Sequence, residues 1–153
     1  MPADSVVSLN THDMPLFSSF WSGKDIEDRL GLGLLNPADV QAERDRLPGA
    51  KKALIDVLRK QGWLQGSDES ALTVLKACIA FMAAGPAQAV LINLEDLWLE
   101  TEPQNVPSTR TEYPNWRRKM RFTFEEFCQM PRVIDILRAI SNLRERGTIG
   151  SKE

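Results

Sequence analysis

The tripeptide Thr11-His12-Asp13 places an imidazole beside a carboxylate, directly after a short apolar run. At the carboxyl end of a parallel strand, such a pair could bind a substrate or move a proton. Three residues are a weak motif, and a turn aspartate beside a hydrogen-bonded histidine is the simpler interpretation of the tripeptide alone. His12 is the only histidine in the chain, so no metal site with two histidine ligands is predicted.

A second group of acids follows another apolar run and comprises Glu95, Asp96, Glu100 and Glu102. Paired carboxylates can perform acid–base catalysis or bind a metal ion. Acids are also common in the first turn of a helix, where the helix dipole favours them. Without further context the second interpretation is preferred.

The segment from residue 101 to 121 is rich in proline and polar residues and predicts a long irregular loop. Its asparagine and arginine side chains suit hydrogen bonds to sugar hydroxyls, and the indole of Trp116 could stack on a pyranose ring. The alternative is a loop that is anchored by a buried tryptophan and carries a solvated basic run at 117–121.

Composition excludes some classes of partner. The chain has 153 residues, is 42% hydrophobic and has a net charge of −2, so neither nucleic acid nor an anionic membrane is the expected partner. The first residues show no secretory signal, and the apolar stretch 71–84 is too short to span a bilayer. We therefore expect a cytoplasmic protein.

Hydrophobic periodicity gives the elements that must position these side chains. Two buried strands are predicted at 5–9 and 89–93, and we expect them to pair in parallel. Asp13 and the loop at 105–117 should then lie at the same end of these strands. Pro15 is expected in the first turn of a helix, and Pro48-Gly49 is expected to break a helix that Asn36 caps. The remaining predicted helices cover 24–31, 50–61, 68–84 with Ser67 as the cap, and 131–145.

Read together, these segments resemble glycoside hydrolase family 77, the 4-α-glucanotransferases or amylomaltases. The resemblance covers residues 5 to 121. It rests on SVVSLNTHDMP at 5–15 with Phe20-Trp21 and DIEDR at 25–29, and on LINLEDL at 91–97, EPQNVP at 102–107 and PNWRRK at 114–119.

The resemblance implies an α/β fold, namely the C-terminal part of a (β/α)₈ TIM barrel that contains its last two strands and their helices. By content the chain should be mostly helical. Residues 1–147 would form this incomplete portion of the catalytic barrel, and residues 148–153 would form a flexible tail.

The same resemblance implies a retaining enzyme that transfers α-1,4-glucan segments to glucose or maltodextrin acceptors without a cofactor or a metal. Asp13 would stabilise the transition state, and His12 would bind the same sugar. The other implied substrate-binding residues are Asn105, Asn115, Trp116 and Arg117. The expected partners are α-1,4-glucans, maltooligosaccharides and the N-terminal part of such an enzyme.

Two positions depart from the family pattern: Ser108 replaces a usual glycine, and Leu16 replaces a usual threonine. The family's nucleophile and acid/base have no counterpart in this chain, because Glu95 and Asp96 lie where the family places neither. We therefore expect the isolated chain to be inactive. The alternatives are a non-catalytic module for glucan binding or helical interactions, and an inactive gene remnant.

Overall fold

Two short strands lie side by side in the structure, a computed structural model that describes residues 2–149 and the side chains as far as residue 145. β1 (Val6–Ser8) pairs in parallel with β2 (Ala89–Leu91), and Val7 lies opposite Val90. The predicted pairing is confirmed. The predicted full burial is wrong, because Val6 and Leu91 are each 58% exposed and no third strand covers them among residues 2–149.

A pair of short helices follows β1. α1 (Phe17–Ser22) and α2 (Lys24–Gly31) meet at Gly23, whose φ of 80° requires the left-handed conformation that glycine adopts without strain. Pro15 was expected in the first helical turn. It instead lies two residues before α1, because Leu16 is extended and occupies the N-cap position.

A single long helix then replaces two predicted ones. Asn36 caps a 3₁₀ turn at Pro37–Asp39 as expected, and α3 (Val40–Lys60) continues from it without a break. The predicted break at Pro48 is therefore wrong. Pro48 is exposed, so water can reach the Arg44 carbonyl that loses its helical donor.

Packing and ion pairs hold both halves of α3 around this proline. Ile55 and Leu58 are buried in the second half of α3, while salt bridges hold its first half to α2. These salt bridges join Arg44 Nη2 to Glu27 Oε1 at 2.6 Å and Arg29 Nη2 to Glu43 Oε2 at 3.1 Å.

The most deeply buried helix is α4 (Ala71–Ala83). Its cap is Ser70, whose Oγ accepts a hydrogen bond from the Thr73 N–H, and the prediction of Ser67 is wrong. The reason is local, because Asp68 folds into a turn and accepts from the Ser70 N–H at 2.9 Å. The core residues of α4 are Val74, Leu75, Ala77, Cys78, Ile79, Met82 and Ala83.

Two further helices complete the fold. A capping box between Thr123 and Glu126 starts the short α5 (Phe124–Phe127), which periodicity did not predict. α6 (Pro131–Ile149) packs on α4 and continues four residues past its predicted end. Of the predicted tail 148–153, the first two residues are helical, and 150–153 lie outside the described residues.

The whole is mostly helical with a small parallel sheet, as expected. Among residues 2–149, no helix combines the length and the apolar character that crossing a bilayer requires.

The core of α3 and α4 makes a direct prediction about stability. Leu58 is 1% exposed, whereas its neighbour Val57 is 50% exposed on the same helix. Leu58→Ala should lower the free energy of unfolding by about 3 kcal/mol, because it leaves a cavity. Val57→Ala is the matched control and should change it by less than about 0.5 kcal/mol in urea denaturation. Similar losses for both variants would contradict this packing.

Candidate functional site

The segments that follow the two strands leave the sheet at the same end, because the strands are parallel. Residues 9–16 lead from β1 to α1, and residues 92–123 follow β2. His12 and Asp13 lie at the tip of the first segment, where their side chains are 63% and 58% exposed. A turn bond from the Met14 N–H to the Thr11 carbonyl shapes this tip.

The carboxylate of Asp13 joins the two segments. Its Oδ1 accepts a hydrogen bond from Asn105 Nδ2 at 2.9 Å, across 92 positions of sequence. Its Oδ2 lies 3.2 Å from His12 Nε2, a contact that becomes an ion pair when the imidazole is protonated. Both oxygens therefore have a partner while more than half of the side chain remains open to solvent.

An aromatic ring lies on the other side of His12. The Trp116 ring centroid is 5.6 Å from that of His12, and the indole is 62% exposed. The backbone N–H of Trp116 donates to the Gln104 carbonyl at 2.8 Å, which fixes the backbone at Trp116. The structure thus brings four of the six predicted residues into one exposed cluster, namely His12, Asp13, Asn105 and Trp116.

The other two predicted residues have different surroundings. Asn115 Oδ1 accepts from the Val106 N–H at 2.8 Å, and Asn115 Nδ2 donates to Thr109 Oγ1 at 2.8 Å, so this side chain holds the loop together. Arg117 is exposed. Its neighbour Arg118 is the more buried arginine, with a side chain that is 21% exposed.

Trp116 and Ser108, in the loop that borders the cluster, have left-handed backbone. Among residues 2–149, the non-glycine residues with positive φ are Leu99, Ser108 and Trp116, at 61°, 68° and 61°. Such conformations cost bulky residues free energy and are frequent at functional sites. The value for Ser108 also explains why a glycine would fit this position.

The acids after β2 form neither a metal site nor a simple helix cap. Glu95 and Asp96 both lie buried in the first turn of a 3₁₀ helix, Leu94–Trp98, where an acidic first turn was the preferred interpretation. Glu95 forms a salt bridge with Arg118 and accepts from Gln104 Nε2 at 3.3 Å. No group of three potential metal ligands occurs in the described part of the chain.

Asp96 links β2 to the segment that carries Asp13. Its Oδ2 accepts from Asn10 Nδ2 at 2.7 Å, and its Oδ1 accepts from the Phe17 N–H at 2.7 Å. Burial raises the pKa of Asp96 to about 6, an effect that these hydrogen bonds only partly oppose and that the nearby Glu95 strengthens.

Two open pockets flank the cluster. One, of about 310 Å³, lies between Asp13 and α2 and is also lined by Asp25, Asp28 and Ser108. The other, of about 440 Å³, lies over the ends of both strands and reaches His12, Glu95 and Trp116. A ligand with several hydroxyl groups would find carboxylates and an indole face at the edges of these pockets.

Sequence reasoning missed Asn10, Gln104 and Arg118, which support the cluster from behind. Asn10 could have been suspected, since it is the first amide side chain after a predicted strand. The sequence gives no such indication for Gln104 and Arg118, because only the folded loop brings these side chains to their partner Glu95.

Ser108→Gly should raise stability. The left-handed backbone costs serine about 1 to 2 kcal/mol, and glycine regains this but has more conformational entropy when unfolded. We expect a net gain of about 0.5 to 1 kcal/mol by urea denaturation. Ser67→Gly is the control, since Ser67 lies in an exposed loop without positive φ, and it should give no gain. Equal effects would contradict the strain at Ser108.

The pKa of Asp96 also sets a pH dependence. Between its usual 3.8 and about 6, the folded protein keeps a proton that the unfolded chain has released, so stability falls as pH rises through 6. Relative to Asp96→Asn, the wild type should lose roughly 2 kcal/mol between pH 4.5 and pH 7. Urea denaturation at both pH values measures this, and the Phe17 amide resonance should titrate with the same midpoint. If the difference in unfolding free energy between the wild type and Asp96→Asn is the same at both pH values, the raised pKa of Asp96 is refuted.

Comparison with known proteins agrees with the resemblance. Residues 1–124 match the sequence profile of glycoside hydrolase family 77, described as 4-alpha-glucanotransferase. The chain is similar to a 4-alpha-glucanotransferase of Haemophilus influenzae, with 29% identity over 126 residues that cover 78% of this chain and 18% of that relative. A 4-alpha-glucanotransferase of Mycobacterium tuberculosis is 32% identical over 112 residues, which cover 72% of this chain and 15% of the relative.

The fold has a counterpart among solved structures. The crystal structure of amylomaltase from Corynebacterium glutamicum superimposes with a TM-score of 0.76 at 22% identity, over 88% of this chain and 21% of that one. The chain spans less than a fifth of the length of the two curated relatives. Because the family profile matches most of its residues, the chain belongs to glycoside hydrolase family 77, the 4-alpha-glucanotransferases.

Proposed function

We propose that this chain supplies a glucan-binding surface and the transition-state carboxylate of a 4-α-glucanotransferase. The reaction would transfer α-1,4-glucan segments to glucose or maltodextrin acceptors with retention of configuration. The observation that carries the proposal is the hydrogen bond between Asp13 and Asn105, which unites the two family-like segments at one end of the sheet.

The chemistry of the cluster fits this reaction. Glycosyl transfer passes through an oxocarbenium-like state, whose positive charge a nearby carboxylate stabilises. Asp13 is exposed enough to accept hydrogen bonds from sugar hydroxyls, and such bonds strengthen in the transition state. His12 would donate to the same sugar, and the exposed indole of Trp116 offers a face for a pyranose ring.

We further propose that β1 and β2 are the last two strands of a (β/α)₈ barrel. Their parallel pairing supports this, as does the position of the cluster beyond their carboxyl ends, where barrel enzymes place their active sites. The flanks of the sheet are exposed at Val6 and Leu91, which the neighbouring strands of a barrel would cover. The expected partner is therefore the N-terminal part of such an enzyme.

Retaining transfer also needs a nucleophile and an acid/base about 5 Å apart. The buried acids Glu95 and Asp96 are engaged with Arg118, Gln104, Asn10 and Phe17, so neither is free to act on a sugar. We propose that both catalytic groups come from another part of the protein. The same observation favours the second candidate function, which is glucan binding without turnover.

Calorimetric titration with maltoheptaose tests the binding surface. Asp13→Asn and Trp116→Ala should each weaken binding by roughly fivefold or more, because each removes a direct contact with the sugar. Asp39→Asn and Phe124→Ala are matched controls, since they alter an exposed acid and an exposed aromatic ring elsewhere. Absence of binding by the wild type, or binding that ignores both site variants, would refute the proposal.

Activity tests separate the two candidates. The 153-residue chain alone should not disproportionate maltotriose, since the covalent step lacks its nucleophile. In a chimera that carries residues 1–124 in place of the matched region of the Haemophilus influenzae relative, Asp13→Asn should lower kcat by about 100-fold or more, with a smaller change in KM. An active chimera that Asp13→Asn leaves unaltered would exclude the catalytic role.

A further inference from the structure

We propose that Asp96 is a positioning residue that sets the place of His12 and Asp13 by holding both ends of the segment that carries them. Its consequence for sugar binding rests on the function proposed above.

The carboxylate reaches the two ends of that segment separately. Asn10 lies at its beginning and donates through Nδ2, whereas Phe17 lies at its end and donates through its backbone N–H. Asp96 is 2% exposed, so water does not compete for either bond. One rigid side chain on the 3₁₀ helix after β2 therefore fixes two points between which the chain makes an exposed turn.

The turn itself has weak internal support. Its tip is held by the backbone bond from Met14 to Thr11 and by a 3.4 Å contact from the Asp13 N–H to Thr11 Oγ1. Leu16 is buried and helps to fix the far end. At the near end, the contacts of Asn10 with Asp96 and, at 3.4 Å, with the Pro15 carbonyl hold the chain in place.

The orientation of the Asn10 amide points the same way. Its Oδ1 is buried and has no hydrogen-bond partner among the described residues, while its Nδ2 faces Asp96. An amide that leaves its acceptor unsatisfied is oriented by the group that needs its donor. That group is the Asp96 carboxylate.

The charge of Asp96 is not explained by an ion pair. Both of its hydrogen-bond donors are neutral, and the charged neighbour that acts on it is Glu95, another acid. A buried carboxylate in such surroundings is unfavourable for stability compared with a neutral group. We therefore assign Asp96 the role of accepting two hydrogen bonds with fixed geometry.

The first part of the test uses single variants. Asp96→Ala removes the acceptor of the Phe17 N–H and of the bond from Asn10. Asn10→Ala removes the same bond from the opposite side. Both should displace the ring resonances of His12, which is the only histidine and lies beside the Trp116 ring, and both should weaken maltoheptaose binding about fivefold.

The second part of the test exchanges the side chains at positions 10 and 96. A merely structural role of Asp96 would not predict that this exchange restores the position of His12. In the double variant Asn10→Asp with Asp96→Asn, the new amide at position 96 still accepts from the Phe17 N–H and donates to the new carboxylate at position 10. Donor and acceptor exchange places and both bonds return. We expect the His12 resonances and the maltoheptaose affinity to return to within about twofold of the wild type.

A control separates positioning from a general loss of stability. Asp68 also accepts from a backbone N–H, that of the α4 cap Ser70, but it precedes the helix and lies on the surface. Asp68→Asn should lower stability without moving the His12 resonances. If the single variants at positions 10 and 96 do not fold, the swap variant decides, because only restored bonds would let it fold.

Two results would overturn the inference. One is folded single variants with wild-type His12 resonances, and the other is a folded swap variant whose resonances stay displaced. If the wild type fails to bind maltoheptaose, the proposed function is refuted while the resonances still decide the positioning role. Unchanged resonances beside intact binding would refute the positioning role alone.

Discussion

A buried carboxylate on one side of the sheet accepts hydrogen bonds from both ends of a segment that leaves the other strand. Asp96 thereby joins sequence regions about 80 to 90 positions apart, at the point where parallel strands already bring them together. The parallel pairing alone fixes only the direction of the two segments. The distance between Asp13 and the loop after β2 depends on this carboxylate, which has no cationic hydrogen-bond partner.

The loop on the other side of the site is organised in a different way. Asn115 bonds to Val106 and Thr109, and the Tyr113 hydroxyl donates to the Pro103 carbonyl, so polar side chains replace the missing secondary structure. Lys24 pairs with Glu102 and ties the beginning of the loop to α2. This internal support holds Trp116 in its left-handed conformation beside His12. One face of the site is therefore held by a buried acid, and the other by a self-bonded loop.

The sequence predicted those features that depend on local chemistry and on the order of elements. These include the two strands, their parallel pairing, the cap at Asn36 and the meeting of Asp13 with the Asn105 loop. Its errors arose where tertiary contacts decide. Pro48 is tolerated because tertiary contacts hold both halves of α3. The cap is a local exception, since Asp68 turns the chain and Ser70 rather than Ser67 caps α4. The different surroundings of Glu95 and Asp96 could not be predicted from sequence, because their partners lie far along the chain or in the loop. These partners are Gln104 and Arg118 for Glu95, and Asn10 and Phe17 for Asp96.

We propose that a glucan binds against Asp13, Asn105 and Trp116 because Asp96 and the loop hold them together. A crystal structure of this chain with bound maltoheptaose would test this proposal. We predict a glucose ring against the Trp116 indole, with hydroxyl groups within hydrogen-bond distance of the Asp13 carboxylate. A maltoheptaose bound elsewhere on the surface, with Asp13 facing only solvent, would contradict this proposal.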